Sequence, residues 1–213
     1  MKIDGIYLVT DRSSLSGKSL EDVILDAITG GVAMVQLREK HVSTRFFIEE
    51  ARRVKNILAP FSVPLIINDR VDVALAVGAD GVHIGQDDMP YPIARKLLGP
   101  DAIIGLSVET PEQVAAAEDF DVNYLGVSAI FATPTKTDTR AQWGLDGLRK
   151  VRAMSCHALV AIGGIHAANA ADVIEAGADS LAVVSAICSA SDPRKAAEHL
   201  RRIVVETRGS KSA

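Results

Sequence analysis

The sequence is short of cysteine, of aromatic residues and of surplus charge of either sign. Its 213 residues hold two cysteines, Cys156 and Cys188, and one tryptophan. Two thiols this far apart exclude a disulfide-stapled scaffold and leave no Cys-x-x-Cys metal pair. Lysine and arginine number 23 against 27 acidic residues, a net charge of −4. Without a basic surplus the chain reads as no binder of nucleic acid or of an anionic membrane. No apolar run approaches the ~18 residues of a membrane span. Met1-Lys2-Ile3-Asp4-Gly5 leads straight into a strand-like segment, with no signal-peptide pattern. No linker-like break interrupts the chain. The expectation is a cytoplasmic protein with one domain, residues 1–208, and a disordered tail at residues 209–213. Whether it forms a homo-oligomer is left open. With 48% hydrophobic residues the chain has ample material for a core.

What is present is alternation. Short β-branched runs at Gly5–Val9, Met34–Leu37, Leu65–Ile67, Gly81–Ile84, Ile103–Ser107, Tyr124–Val127, Leu159–Ile162 and Ser180–Val184 predict eight strands. Several are continuously apolar, as parallel strands buried on both faces are. Between them lie helix signals. Ser19 precedes Leu20-Glu21-Asp22, Thr110-Pro111-Glu112-Gln113 reads as a capped start, and Asp192-Pro193 opens the last helix. Glycines at Gly30-Gly31, Gly78 and Gly177 stand where a helix hands over to a strand. Eight βα units in this length predict a single (β/α)8 TIM barrel, an α/β fold. A doubly wound sheet would show fewer units and a G-x-G-x-x-G turn after its first strand, and neither is found.

A barrel of this kind carries its site at the C-terminal ends of the strands. After the second strand, Gln36, Arg38 and Lys40 alternate and so share one face, with Leu37 on the other. A fork donor and a point charge together suit a polyanion. Asn68-Asp69-Arg70 follows the third strand and Gly85-Gln86-Asp87-Asp88 the fourth. Their acids fit either helix N-caps or the oxygen ligands of a magnesium ion shared with a diphosphate. Ser107 ends the fifth strand, and Thr133-Pro134-Thr135-Lys136 forms a polar loop after the sixth. Gly163-Gly164 and Val184-Ser185 follow the seventh and eighth, where barrels often hold phosphate on backbone N–H groups. His83, inside an apolar strand, reads as a hydrogen-bonded interior histidine and Trp143 as a cover for apolar surface near the sixth loop.

These strings, in this order, resemble the thiamine phosphate synthase family over almost the whole chain. They are Val35–Lys40, Ile67–Arg70, Gly81–Asp88, Gly105–Ser107, Phe131–Lys136, Ala161–Ile165 and Val183–Ile187. The resemblance implies a transferase that condenses 4-amino-2-methyl-5-hydroxymethylpyrimidine diphosphate with a thiazole phosphate, giving thiamine phosphate and diphosphate. It implies that Gln36, Leu37, Arg38, Glu39, Lys40 and Asn68 hold the pyrimidine diphosphate, that Ser107 and Lys136 also contact it, and that Asp69 and Asp88 hold Mg2+. Thr133, Pro134 and Thr135 would meet the thiazole phosphate, and Gly164, Val184 and Ser185 its phosphate. Arg38, Lys40 and Lys136 would stabilise the departing charge. One departure from the family matters: Ser128-Ala129 stands where members often have Gly-Pro, which puts the path into the sixth loop in question. The alternatives are a thiazole tautomerase-like isomerase, which would not need both aspartates and the cationic run, and a non-catalytic ligand sensor. A Schiff-base aldolase would want a lysine at a strand end, and Lys136 lies beyond one.

Overall fold

The computed structural model describes residues 3–133 and 142–211. Eight parallel strands close into a barrel in chain order, β1 pairing with both β2 and β8. They are β1 (Gly5–Val9), β2 (Met34–Leu37), β3 (Leu65–Asn68), β4 (Gly81–Ile84), β5 (Ile103–Val108), β6 (Tyr124–Ser128), β7 (Leu159–Ile162) and β8 (Ser180–Val183). Between them run α1 (Leu20–Thr29), α2 (Thr44–Leu58), α3 (Val71–Val77), α4 (Tyr91–Leu98), α5 (Pro111–Ala117), α6 (Gly144–Met154) and α7 (Ala170–Glu175). A single turn, α8 (Ser185–Cys188), precedes the long α9 (Pro193–Lys211). The predicted (β/α)8 barrel is the fold observed.

The two-residue period of a strand sorts its side chains. Ile6, Leu8, Val35, Leu37, Leu65, Ile67, Val82 and Ile84 face outward and pack under the helices. Tyr7, Val9, Met34, Ile66, Ile103, Tyr124, Val160 and Ala182 form a separate cluster that fills the barrel. Each fully buried aliphatic side chain stabilises the fold by about 1.5–3 kcal/mol. Capping follows the sequence: Ser19 Oγ accepts from Asp22 N–H and Thr110 Oγ1 from Gln113 N–H. Gly78 ends α3 in the left-handed region at φ +59°, which glycine adopts at little cost.

Two expectations are corrected. Three strands run one residue beyond the predicted boundaries, to Asn68, Val108 and Ser128, because the ladder continues there: Asn68 pairs with His83, Val108 with Val127 and Ser128 with Ile162. The tail predicted to be disordered from Gly209 is instead helical through Lys211. An established helix propagates through one glycine at a cost of about 1 kcal/mol, and Ser210 Oγ donates back to Glu206 O at 3.0 Å. Among the described residues no helix is long and apolar enough to cross a membrane.

Candidate active site

The C-terminal mouth of the barrel opens into a cavity of about 990 Å³. Gln36, Arg38, Lys40, Asn68, Asp69, Asp88, Ser107, Thr133, Gly164, Val184 and Ser185 all line it. Pro134, Thr135 and Lys136 lie outside the described residues. Leu37 and Glu39 do not line it. Leu37 is fully buried beneath the helices, and the Glu39 carboxylate meets Arg12 at 2.7 Å. Strand alternation turns both side chains away, so any contact they make with a ligand runs through their backbone.

The floor is a chain of hydrogen bonds inside the barrel. Gln36 Nε2 donates to Tyr7 Oη at 2.8 Å, and Tyr7 Oη lies 2.9 Å from Tyr124 Oη. His83 stacks on Tyr124 at 5.5 Å, with Nδ1 3.1 Å from Tyr124 Oη and Nε2 2.8 Å from Ser107 Oγ. Two predicted site residues, Gln36 and Ser107, are therefore joined by three that carried no predicted role. Burial pushes both phenols well above their usual range, so they stay neutral and serve only as hydrogen-bonding groups. Two glycines make room for these rings. A Cβ at Gly105 would lie 2.0 Å from Tyr124 Cζ, and one at Gly126 2.7 Å from His83 Cε1. His83 is hydrogen-bonded as expected, but it faces the cavity.

One wall is charged. Asp69 sits at φ +60°, a left-handed conformation that aspartate tolerates better than most residues. Its N–H is tied to His83 O at 2.8 Å, which fixes the turn at the end of β3. Lys40 Nζ donates to Asp69 Oδ2 at 2.5 Å. Asp88 accepts from Gly85 N–H at 2.7 Å and lies within hydrogen-bonding range of Asp69. Burial first, and then the neighbouring Asp69, raise the Asp88 carboxyl above its ordinary value. Arg38 Nη1 donates to Asp11 Oδ2 at 3.0 Å. The Asn68 side chain is 6% exposed, lines the cavity and has no hydrogen-bond partner for its Nδ2 among the described residues. A buried donor left this way costs about 1–3 kcal/mol, which a ligand oxygen would recover.

Among the described residues the opposite wall carries no acidic, lysine or arginine side chain. Gly164 is left-handed at φ +66°, and a Cβ there would lie 2.7 Å from Ala132 O and 2.8 Å from Phe131 Cβ. Glycine at this position therefore admits the sixth loop as well as any ligand. Ser128 ends β6 and lines the cavity, and the Ser128–Ala129 peptide is cis. The chain beyond it is pinned by Ile130 N–H to Ile162 O at 2.9 Å and Phe131 N–H to Gly163 O at 3.1 Å. The path into the sixth loop is thus fixed as far as Phe131 without glycine or proline.

Sequence reasoning missed Asp11, Tyr7 and Tyr124. The signal for Asp11 was its place just beyond β1, in the one mouth loop given no role. At the other end of the barrel one group of three potential metal donors converges among the described residues, Glu118, Cys156 and His157. The Glu118 carboxylate already accepts from Ser155 Oγ and from Cys156 N–H, which accounts for it as a tie between α5 and the start of β7.

A closed (β/α)8 barrel with a polar cavity at its C-terminal mouth has the architecture in which barrel enzymes carry their sites, often for phosphorylated ligands. A family model described as Thiamine monophosphate synthase matches residues 6–187, and the chain belongs to that family. It is 58% identical over 199 residues to the thiamine-phosphate synthase of Albidiferax ferrireducens, covering 93% of this chain and 91% of the relative. The thiamine-phosphate synthase of Vibrio campbellii is 54% identical over 196 residues, covering 92% and 95%. Among solved structures, thiamine phosphate pyrophosphorylase from Pyrococcus furiosus superposes with a TM-score of 0.87 at 39% identity, over 95% of this chain and 96% of that one. The chain is an enzyme, a transferase of thiamine biosynthesis.

Proposed function

We propose that this cavity condenses 4-amino-2-methyl-5-hydroxymethylpyrimidine diphosphate with a thiazole phosphate, releasing thiamine phosphate and diphosphate, and that its two walls divide the substrates between them. The observation that carries the reading is the convergence of Gln36, Arg38, Lys40, Asn68, Asp69 and Asp88 on one side of a single cavity. Arg38 and Lys40 would bind the diphosphate, with the orphaned Asn68 amide donating to one of its oxygens. Gln36, Ser107 and the phenol–imidazole floor would hold the pyrimidine. Thr133, Gly164, Val184 and Ser185 would take the thiazole phosphate, and Lys136 would join the diphosphate from the sixth loop.

The adjacent carboxylates of Asp69 and Asp88 fit a magnesium ion, because hard oxygen donors in a pair need a cation and Lys40 alone gives them one charge. When bound, magnesium would neutralise charge on the diphosphate. The protein's own part is positioning and charge. A neutral thiazole nitrogen needs no general base. The demanding event is loss of diphosphate from the pyrimidine methylene carbon, and Arg38, Lys40 and Lys136 would stabilise the negative charge that leaves. The electron-rich aminopyrimidine spreads the positive charge left behind. Gln36 and Ser107 keep its ring in place while the thiazole nitrogen approaches from the opposite wall.

The reading is tested by supplying both substrates with magnesium and following thiamine phosphate. Formation of product that stops on chelation supports it. Binding of the thiazole phosphate alone, with no product, would return the chain to an isomerase or sensor role. A small-molecule enzyme with no basic surplus needs no nucleic-acid or membrane partner.

A further inference from the structure

Glu50 is 1% exposed in the middle of α2, among the buried Phe47, Ala51 and Val54. A lone carboxylate in such a place costs several kcal/mol. One of its oxygens accepts from Arg12 Nη2 and lies 3.9 Å from Arg53 Nη2, while Oε2 has no hydrogen-bond partner among the described residues. The Glu39 carboxyl lies against Glu50, and Arg12 Nε donates to Glu39 Oε1 at 2.7 Å. The Arg12 guanidinium also covers the Phe46 ring at 5.0 Å. None of Arg12, Glu39 and Glu50 lines the cavity, so the proposed reaction uses none of them.

Their neighbours in the chain, however, are at the site. Asp11 and Arg12 are consecutive in the loop after β1, and Arg38 and Glu39 are consecutive in the loop after β2. Asp11 pairs with Arg38 at 3.0 Å, and Arg12 pairs with Glu39 at 2.7 Å. The two loops are thus stitched by two ion pairs of opposite sense, in adjacent rows. A third stitch holds the loops to each other near the strands: Arg38 N–H donates to Thr10 Oγ1 at 3.1 Å, and Thr10 N–H to Gln36 O at 2.9 Å. Glu50 is the point at which this lacing is anchored to a helix. If the cluster served stability alone, apolar side chains of similar volume would do as well or better. What a carboxylate adds is direction, because it fixes where the Arg12 fork points.

We propose that Glu50 is a positioning residue for the diphosphate substrate: by holding Arg12 and, through it, Glu39, it sets the register of the Asp11–Arg38 pair and hence where Arg38 and Lys40 present their charge. The inference rests on the assignment of Arg38 and Lys40 to the diphosphate. It requires that the neutral isostere Glu50→Gln, which keeps the volume and loses the charge, leave the fold intact but loosen the clamp.

The experiment measures KM for each substrate and the melting temperature of Glu50→Gln, Arg12→Gln and Arg38→Ala. Glu50→Gln and Arg12→Gln are each expected to raise KM for the pyrimidine diphosphate roughly tenfold. KM for the thiazole phosphate should stay at the parent value. Glu50→Asp, which keeps the charge, should recover part of the loss. Equal rises for both substrates, tracking a fall in melting temperature, would mean a merely structural acid and overturn the proposal. So would parental kinetics in Glu50→Gln and Arg12→Gln when Arg38→Ala is impaired. If Glu50→Gln does not fold, Arg12→Lys decides, since that side chain is 42% exposed and lysine keeps a positive charge beside Glu50 while losing the fork that gives the pair its direction. Arg38→Ala with an unchanged pyrimidine diphosphate KM overturns the clamp assignment itself, and the role of Glu50 with it.

Discussion

The two walls of the mouth are built from different materials. The wall from β2 to β4 presents Arg38, Lys40, Asp69 and Asp88, each cation already paired with a carboxylate: Arg38 with Asp11 and Lys40 with Asp69. The wall from β7 to β8 presents Gly163, Gly164, Val184 and Ser185 and, among the described residues, no acidic, lysine or arginine side chain. On the proposed division of the substrates, the contrast matches the fates of the two phosphorylated groups. A diphosphate that leaves gains negative charge at the moment of reaction, and only charged groups respond strongly to that gain. A phosphate that stays on its substrate needs a seat whose strength does not change, which on the proposed division backbone N–H groups and a hydroxyl would supply.

The largest break in this contrast should come from the acids. Asp69→Asn and Asp88→Asn are expected to lower kcat by roughly two to three orders of magnitude, because the leaving group loses its counter-charge. Both should melt like the parent: at position 88 asparagine keeps an oxygen for the Gly85 N–H, and at position 69 it tolerates the left-handed backbone as aspartate does. Asp87→Asn should stay within about twofold, its side chain having no part in the pair. Turnover as a function of magnesium in the three variants decides it, and damage at Asp87 with tolerance at Asp88 would reverse the ligand assignment.

Next in size is the clamp. Arg38→Ala or Lys40→Ala removes one charge-assisted contact, about 1.5–3 kcal/mol, or roughly ten- to a hundredfold in affinity. The loss should fall on the pyrimidine diphosphate and spare the thiazole phosphate. Calorimetric titration of each substrate separately is the check, and a loss shared by both would erase the division between walls.

A smaller effect belongs to the opposite wall. Ser185→Ala should weaken the thiazole phosphate roughly tenfold, in keeping with one hydroxyl hydrogen bond to an anion at the low end of about 1.5–3 kcal/mol. Gly164 is the worse probe, because a side chain there meets Ala132 O and Phe131 before it meets any ligand. Gly164→Val should therefore disturb the sixth loop as well as the phosphate, and lowered thermal stability would reveal that.

The smallest expected effect is a pH slope. Burial, and then Glu50, push the Glu39 carboxyl from its ordinary 4.5 up to about 7. Between those values the folded protein holds a proton that the unfolded chain releases, so stability falls as pH rises through this window and is level above it. Urea midpoints at about pH 5 and about pH 8 should differ in the parent, and Glu39→Gln should shrink that difference. A parent midpoint that climbs instead would mean that Glu39 is ionised throughout.

Most of this architecture was legible in the sequence. The eight strands begin where the β-branched runs begin, since apolar burial on both faces leaves few other options. Strand ends were less legible. Asn68 and Ser128 look like loop residues, yet they are the last rungs of the ladder because the mouth is where a strand turns polar. Gln36, Arg38 and Lys40 were legible through alternation. The same alternation hid Tyr7 and Tyr124, because in a continuously apolar strand nothing local distinguishes the face toward the helices from the face toward the barrel axis. That distinction arises only on closure, when Gly105 and Gly126 leave space for the rings. Asp11 and Glu50 were hidden for another reason. Each acts on a residue of a neighbouring unit, and the pairing is set by barrel geometry and not by any spacing along the chain.

Closure has a consequence for how the molecule is made. β1 has β8 as one of its two neighbours, and α9 packs on α1 and on β1. During synthesis β1 therefore lacks one of its two neighbours until residues near 183 have been made. Every shorter nascent chain presents that edge of β1 to whatever is nearby. The tyrosine–histidine floor joins β1, β4 and β6 across the barrel interior, so its hydrogen bonds span strands that only closure brings face to face.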